Sequence, residues 1–325
     1  MKELPVPIPG AAIEAARGRI FDSAIRTPLI PFFPDPASGG RPRIWLKLEN
    51  LQPVGSFKIR GARNALASLG RESLGRGVYT ASAGNMALGL AWCCARMEIP
   101  CTVIVPDTAP RAKLDRLEQL RARIIPVSFD RWWRVMQDHQ YEGVEGSFIH
   151  PVANPDVMAG NGTIAAELLE DLPEVDTVLV PFGGGGLSCG IASGLRARSS
   201  AARVVGCEVE TAAPLTAALR AGKPAPIQRV PSFVDGIGGA GILPEMWPLV
   251  RELLAGAAVV PLSEVRRAVR LLAQRARVVA EGAGAVPLGV ALSSRSGGEA
   301  ICCIVSGGNL DSGVLTGILE ETPAA

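Results

Sequence analysis

The chain has 325 residues, a formal net charge of +2, 48% hydrophobic residues and 20% charged ones. That length suits two domains or one large α/β domain, and that apolar content is too high for a disordered chain. Lys and Arg are spread along the chain, which indicates neither a nucleic-acid nor a membrane-surface partner.

Residues 1–43 are Pro-rich around one helix-like patch, 11–23, and are punctuated by Pro28, Pro31, Pro34, Pro36 and Pro42. The opening Met1-Lys2-Glu3-Leu4-Pro5 has no apolar signal core, so the expected location is cytoplasmic. The apolar run 44–48 predicts a strand, followed by a turn over 49–53. Gly55-Ser56-Phe57-Lys58-Ile59-Arg60-Gly61 then opens a helix over 58–69, with Ser56 as its cap. Lys58 falls in the first turn, where the helix dipole disfavours a protonated amine. A neutral amine is what Schiff-base chemistry needs. A lone lysine is usually an ordinary surface residue. This one gains a role only if other segments supply a phosphate cradle, a ring-nitrogen partner and a carboxylate-binding loop.

A regular alternation follows: strand 78–81, helix 86–97, strand 101–105, helix 113–121 with Leu114, Leu117 and Leu120 in step, strand 124–127, helix 131–140 and strand 148–149. Asp130-Arg131-Trp132-Trp133 reads as a helix anchored by buried aromatics. The rhythm resumes with helix 163–169, strand 177–180, helix 187–197, strand 204–209 and helix 214–221, stopped by Gly222. A loop to about 241, helices 264–276 and 284–292, and strand 300–305 complete the chain. Residues 177–195 are uncharged and long enough to span a bilayer, but Pro181 and four consecutive glycines mark strand, loop and helix instead. The expected architecture is α/β: two parallel-sheet, doubly wound domains with the active site between them. The larger takes residues 1–74 and 153–325, and a small unit, 75–152, is inserted in it.

Seven cysteines, Cys93, Cys94, Cys101, Cys189, Cys207, Cys302 and Cys303, include no C-x-x-C pair and read as buried, reduced thiols of a cytosolic protein. Two histidines, His139 and His150, are too few to build a His-based metal site or a Ser-His-Asp triad readily.

Four constellations carry chemistry. Gly183, Gly184, Gly185 and Gly186 lie between a strand and a helix, where bare backbone N–H groups and the helix dipole suit a phosphate. No Gly-Lys-Ser/Thr follows, so this is not a Walker A loop. Ser82-Ala83-Gly84-Asn85-Met86 is equally an ordinary capped turn and a carboxylate site, with Asn85 offering an amide to a phenolic oxygen. Ser306-Gly307-Gly308-Asn309 puts a hydroxyl at a strand's C-terminal end, though a plain Gly-rich turn competes with that reading. Asp235-Gly236-Ile237-Gly238-Gly239-Ala240-Gly241 matches G-x-G-x-x-G, but Pro244 and Pro248 occupy the place of the required helix, so NAD binding is rejected.

In their order along the chain, GSFKIRG, SAGN, GGGG and SGGN resemble the pyridoxal-phosphate enzymes of the tryptophan-synthase-β fold class (fold type II), best of all the threonine/serine dehydratase (ammonia-lyase) and serine racemase branch. The resemblance covers roughly residues 20–320. It implies that Lys58 bonds the cofactor covalently and moves the α-proton, that Phe57 and Gly236 flank the ring, and that Asn85 bonds its hydroxyl. It further implies that Gly183, Gly184, Gly185, Gly186 and Leu187 hold the phosphate, that Ser306 faces the pyridine nitrogen, and that Glu281 is an acid near the site. Ser82, Ala83, Gly84 and Asn85 would bind the substrate carboxylate, with Asn154 in the same pocket.

The implied reaction is β-elimination from a β-hydroxy amino acid such as L-threonine or L-serine, giving a 2-keto acid and ammonia; 3-hydroxyaspartate and 3-phenylserine are the alternatives. A serine partner leaves the pyridine nitrogen largely unprotonated, which favours prompt elimination. Ala83 stands where the racemase form has a second serine, which demotes racemisation. Met86 replaces a histidine and is expected to make the pocket rim more apolar. Glu208 and Ala212 match two positions of the branch's divalent-cation site, but Pro214 replaces the third, so a cation is doubtful. A chain ending at Ala325 leaves no room for the regulatory domain of the biosynthetic dehydratases, and feedback control through it is not expected. A homodimer is expected. The competing readings are a catalytically silent binder of the cofactor and a nucleotide-binding enzyme.

Overall fold

The computed structural model describes residue 4 and residues 6–33, 43–293 and 298–321. Pro34, Pro36, Pro42 and all of the opening pentapeptide except Leu4 lie outside the described residues.

Among the described residues ten strands run in chain order: β1 (Leu29–Phe32), β2 (Ile44–Lys47), β3 (Val78–Ala81), β4 (Cys101–Pro106), β5 (Arg123–Val127), β6 (Ser147–Phe148), β7 (Thr177–Pro181), β8 (Arg203–Val209), β9 (Gly256–Val260) and β10 (Ile301–Ile304). They form a six-stranded sheet in the order β1-β2-β10-β7-β8-β9 and a four-stranded sheet in the order β5-β4-β3-β6. Among these described strands, β1–β2 is antiparallel and the other pairs are parallel. Parallel strands are covered on both faces and read as unbroken apolar runs. β3, β7 and β10 are accordingly buried along their whole length.

The period of two sorts side chains onto the two faces. Val178, Val180, Cys302 and Ile304 enter one core of the large sheet, and Leu179, Cys303 and Val305 enter the other. In the small sheet Val103 and Val105 face one core and Ile104 the other. The seven cysteines belong to these interiors and are all free and buried. Burial pushes the thiols of Cys93, Cys189 and Cys302 up to about 12.

β1 and β9 escaped the periodicity reading. Pro31 interrupts the first and the second is partly Gly and Ala. The predicted helix at 163–169 is in fact Pro155–Asp171, and it is the centre of the packing. A Cβ on Gly190 would come within 2.4 Å of the Met158 carbonyl oxygen, and one on Gly160 within 2.4 Å of that of Arg60. Those glycines are therefore contact points between backbones rather than breaks. Among the described residues no helix is long and apolar enough to cross a membrane. Pro244 and Pro248, expected to bar a helix after Gly241, instead lie in the first turns of helical structure: a 3-10 turn over Pro244–Met246 runs into the helix Trp247–Leu253.

The helix Lys58–Ala67 packs between Asn85–Met97, from the segment that forms the small sheet, and Pro155–Asp171. A buried ionic cluster holds it. Arg60 bonds Glu49 through Nε at 2.8 Å and Glu167 through a terminal nitrogen at 2.6 Å. Lys47 Nζ donates to Glu167 at 2.6 Å and to the Thr27 carbonyl at 2.7 Å. Burial alone would raise the Glu49 carboxyl, but Arg60 and Lys47 hold it below its ordinary range.

Candidate active site

Lys58 is the first residue of its helix. Its Nζ donates to the Pro151 carbonyl at 2.9 Å and lies 5.1 Å from the centre of the Phe57 ring. Neither partner is an anion. Burial pushes the amine down to about 8, while the Glu281 carboxylate pulls the other way. The lowered pKa expected from the sequence is present, with desolvation as its main cause.

The expected Ser56 cap is absent. Phe57 holds the cap position without a side-chain bond, and the Ser56 hydroxyl is buried with no hydrogen-bond partner. The Ser56 backbone instead bridges Gly307. Phe57 N donates to Ser306 O at 3.0 Å and Gly308 N to Gly55 O at 2.9 Å. These bonds lay the lysine motif along the serine motif. Gly55 is required there, because its φ is +72° and a Cβ would meet Asn309 Oδ1 at 2.8 Å. Ser306 itself is buried.

Asn85 opens the helix Asn85–Met97 and spends both ends of its amide within the site. Its Nδ2 donates to Glu281 Oε1 at 2.8 Å, and its Oδ1 accepts from Asn309 Nδ2 at 2.8 Å. Arg116, on the helix Arg111–Gln119, donates to Asn309 Oδ1 at 3.0 Å. A polar chain thus runs Arg116–Asn309–Asn85–Glu281. Burial pushes the Glu281 carboxyl up to about 7, helped by Asp235 and opposed by Asn85, Lys113 and Lys58. Lys113 pairs with Asp235 at 2.6 Å beside it.

The glycine loop joins the same wall. A Cβ on Gly236 would lie 3.3 Å from Glu281 Oε1, and one on Gly183 3.8 Å from Gly236 O. Gly185 has φ +99°, and no side chain caps the helix Gly186–Ala197. The first-turn N–H groups, that of Leu187 among them, have no partner within the helix and stand ready for an anion. Val152 covers one flank of the loop, with its Cγ1 3.0 Å from where a Gly184 Cβ would be.

Ser82 Oγ accepts from Gly84 N at 3.2 Å, shaping a half-buried turn that includes Ala83. Asn154 Oδ1 caps the helix Pro155–Asp171, accepting from Asp156 N at 2.9 Å and Val157 N at 3.0 Å. Met86 corrects an expectation: its side chain is 2% exposed and packed in the core of the small sheet, so it makes no apolar rim. Glu208 and Ala212 make no hydrogen bond to these described residues in the structure, and Ala212 packs against Gly238. Glu208 accepts from Leu215 N at 2.6 Å, Thr216 N at 2.9 Å and Thr216 Oγ1 at 2.8 Å, all at the start of the helix Pro214–Ala221. Among the described residues, no three His, Cys, Asp or Glu side chains are grouped as metal ligands.

Sequence reasoning missed Asn309 and Arg116 as members of the site, and the role of His150 beneath Pro151. Asn309 stood in a motif already singled out, whereas nothing local marks Arg116.

Known proteins resemble this chain over most of its length. The sequence model of the family described as pyridoxal-phosphate dependent enzyme matches residues 20–307. The L-threonine ammonia-lyase of Thermotoga maritima is 37% identical over 281 residues, covering 86% of this chain and 70% of that protein. The L-threonine ammonia-lyase of Geobacter sulfurreducens is 36% identical over 320 residues, covering 97% and 79%. The solved structure of maize serine racemase superposes with a TM-score of 0.86 at 32% identity, covering 97% of each chain.

Proposed function

The chain belongs to the pyridoxal-phosphate-dependent enzymes, and we propose that it is a β-eliminating ammonia-lyase converting L-threonine or L-serine to a 2-keto acid and ammonia. The observation that carries this reading is the Lys58 amine, held by a carbonyl and an aromatic ring and by no carboxylate. Relatives named L-threonine ammonia-lyase support the substrate class.

The residues present fit the cofactor. An amine desolvated to a pKa of about 8 rests on Pro151, whose neighbour Val152 flanks an uncapped helix start that suits a phosphate. When bound, pyridoxal phosphate supplies a conjugated ring that accepts the electron pair left by breaking a Cα–H bond. Lys58 would attach it, with Phe57 and Gly236 beside the ring and Asn85 on its hydroxyl. Gly183, Gly184, Gly185, Gly186 and Leu187 would hold the phosphate. Ser306 would meet the pyridine nitrogen with a neutral hydroxyl. Glu281 holds the Asn85 amide in one orientation.

Ser82, Ala83, Gly84 and Asn85 would seat the substrate carboxylate, with Asn154 beside them. Lys58, as the neutral amine, takes the Cα proton. The β-hydroxyl leaves as water by taking up the proton that Lys58 received from Cα, and hydrolysis of the released enamine gives the keto acid and ammonia. Ala83 offers no proton-transferring group, so elimination is favoured over racemisation, the reading that likeness to maize serine racemase would otherwise suggest.

Three coarser readings accompany this one. Residues 75–152 form a small domain, inserted in a large one of residues 1–74 and 153–325. The exposed apolar residues Phe21, Ile25, Leu51 and Val279 support a homodimer. The buried free thiols support a cytoplasmic location.

Borohydride treatment of the coloured holoenzyme is expected to fix the cofactor on Lys58, and L-threonine to yield 2-oxobutanoate. A keto-acid assay across L-threonine, L-serine, 3-hydroxyaspartate and 3-phenylserine, with chiral analysis of the remaining amino acid, ranks the substrates. A colourless protein, or bound cofactor with no keto acid from any of the four, overturns the proposal. Light scattering tests the dimer.

A further inference from the structure

Lys58 rests on a carbonyl, and that carbonyl belongs to a turn built around a buried histidine. His150 is 2% exposed and follows β6. Its Nδ1 accepts two backbone N–H groups, from Val152 at 2.9 Å and from Ala153 at 2.7 Å. Its Nε2 lies 3.1 Å from the carbonyl oxygen of Met136, on the helix Phe129–Asp138. A ring nitrogen that accepts two N–H bonds carries no proton, so the proton sits on Nε2 and is donated to Met136. The ring is neutral and held in one tautomer. Burial, with the His139 ring centred 4.5 Å away, opposes charging it, and His139 is itself bonded to Glu245 at 2.9 Å.

Those bonds determine what the next four residues do. The two N–H groups fold the backbone back over the ring, and Pro151, between them and the histidine, points its carbonyl to Lys58 Nζ. Val152 is thereby set against the glycine loop, its carbonyl oxygen 3.0 Å from where a Gly186 Cβ would be. Asn154 follows and opens the helix Pro155–Asp171. One imidazole thus stands behind the amine, the flank of the loop and the capping asparagine, and ties them to a helix from the segment that forms the small sheet.

We propose that His150 is a positioning residue, whose neutral ring holds the 150–154 turn so that the Pro151 carbonyl fixes the Lys58 amine and Val152 closes the flank of the glycine loop. The proposal rests on Lys58 being the cofactor lysine. Substitution separates it from simple space filling. His150→Asn keeps an acceptor near Nδ1, whereas His150→Leu keeps only bulk. In the full-length cofactor-free protein, amide exchange at Val152 and Ala153 is expected to accelerate about tenfold in His150→Leu and to return close to wild type in His150→Asn. In the holoenzyme, His150→Leu should lower kcat about 10–100-fold with little change in KM, and His150→Asn should recover most of it. The wild-type imidazole ¹⁵N signals should show Nδ1 unprotonated and unchanged from pH 5 to pH 8.

Unchanged exchange at both amides, or wild-type kcat in His150→Leu, overturns the proposal. If His150→Leu does not fold, the wild-type ¹⁵N spectrum decides, and a ring protonated on Nδ1 sinks the idea. Absence of keto-acid production by the wild type counts against the lyase reading alone, because the exchange and ¹⁵N readouts need no substrate.

Discussion

Lys58 and Arg60 are cations on the same helix turn, both withdrawn from water, with opposite surroundings. Arg60 is 1% exposed and clamped between Glu49 and Glu167, with Lys47 balancing the second acid. Lys58 has a carbonyl, an aromatic face and a carboxyl at a distance. A buried cation that is paired stays charged, and one that is not gives up its proton near neutral pH. The difference teaches a division of labour. Arg60 fixes the helix, so Lys58 needs no ion pair of its own to hold its place and keeps a low pKa.

The sharpest way to break this comparison is to exchange the roles. Lys58→Ala should cut keto-acid production by about 10⁴-fold or more without lowering the unfolding midpoint. Arg60→Met should do the reverse, leaving Glu49 and Glu167 sharing only Lys47 and costing about 3–5 kcal/mol in denaturant titration. A stable, inactive Arg60→Met would show that the ionic cluster serves chemistry rather than support.

The pH dependence of stability in the cofactor-free protein sharpens the contrast. Folded Glu281 keeps its proton up to about 7, whereas unfolded it loses it near 4.5, so stability should fall as pH rises between those values. Folded Lys58 loses its proton near 8, whereas unfolded it holds it to 10.5, so stability should rise with pH across that window. Each limb has a slope of at most about 1.4 kcal/mol per pH unit. Glu281→Gln should remove the falling limb and Lys58→Met the rising one, both read by denaturation at fixed pH.

Smaller effects test the rim. Asn309→Ala leaves the Asn85 oxygen unpaired and should weaken cofactor binding about tenfold, measured by titrating the visible absorption. Lys113→Gln removes a solvent-facing pair with Asp235, and stability should change by no more than about 1 kcal/mol.

Much of this was legible in the sequence, and the rest has a common cause. Apart from β1 and β9, the strands were readable because parallel sheets bury continuous apolar runs. Lys58, the glycine loop, Asn85 and Ser306 announced themselves through small residues at strand ends. The helix Pro155–Asp171 was underread because Gly160 and Gly162 look like breakers until a second backbone is placed against them. Ser56 sits at a plausible cap position, but the Phe57 amide and Gly307 backbone draw the chain elsewhere. Met86 had the right sequence position for a rim residue, yet helix rotation buries it. The bonds Asn309–Asn85 and Arg60–Glu167 join residues 224 and 107 positions apart, a separation no local pattern carries.

The seven buried thiols have a practical corollary. Buried and out of reach, they leave the native surface without a ready target for maleimide dyes. A cysteine placed at Arg111 and another at Glu252, both exposed, would carry a donor and an acceptor fluorophore on an otherwise silent background. Energy transfer between them would then follow, turnover by turnover, the distance between the helix that carries Arg116 and the helix Trp247–Leu253.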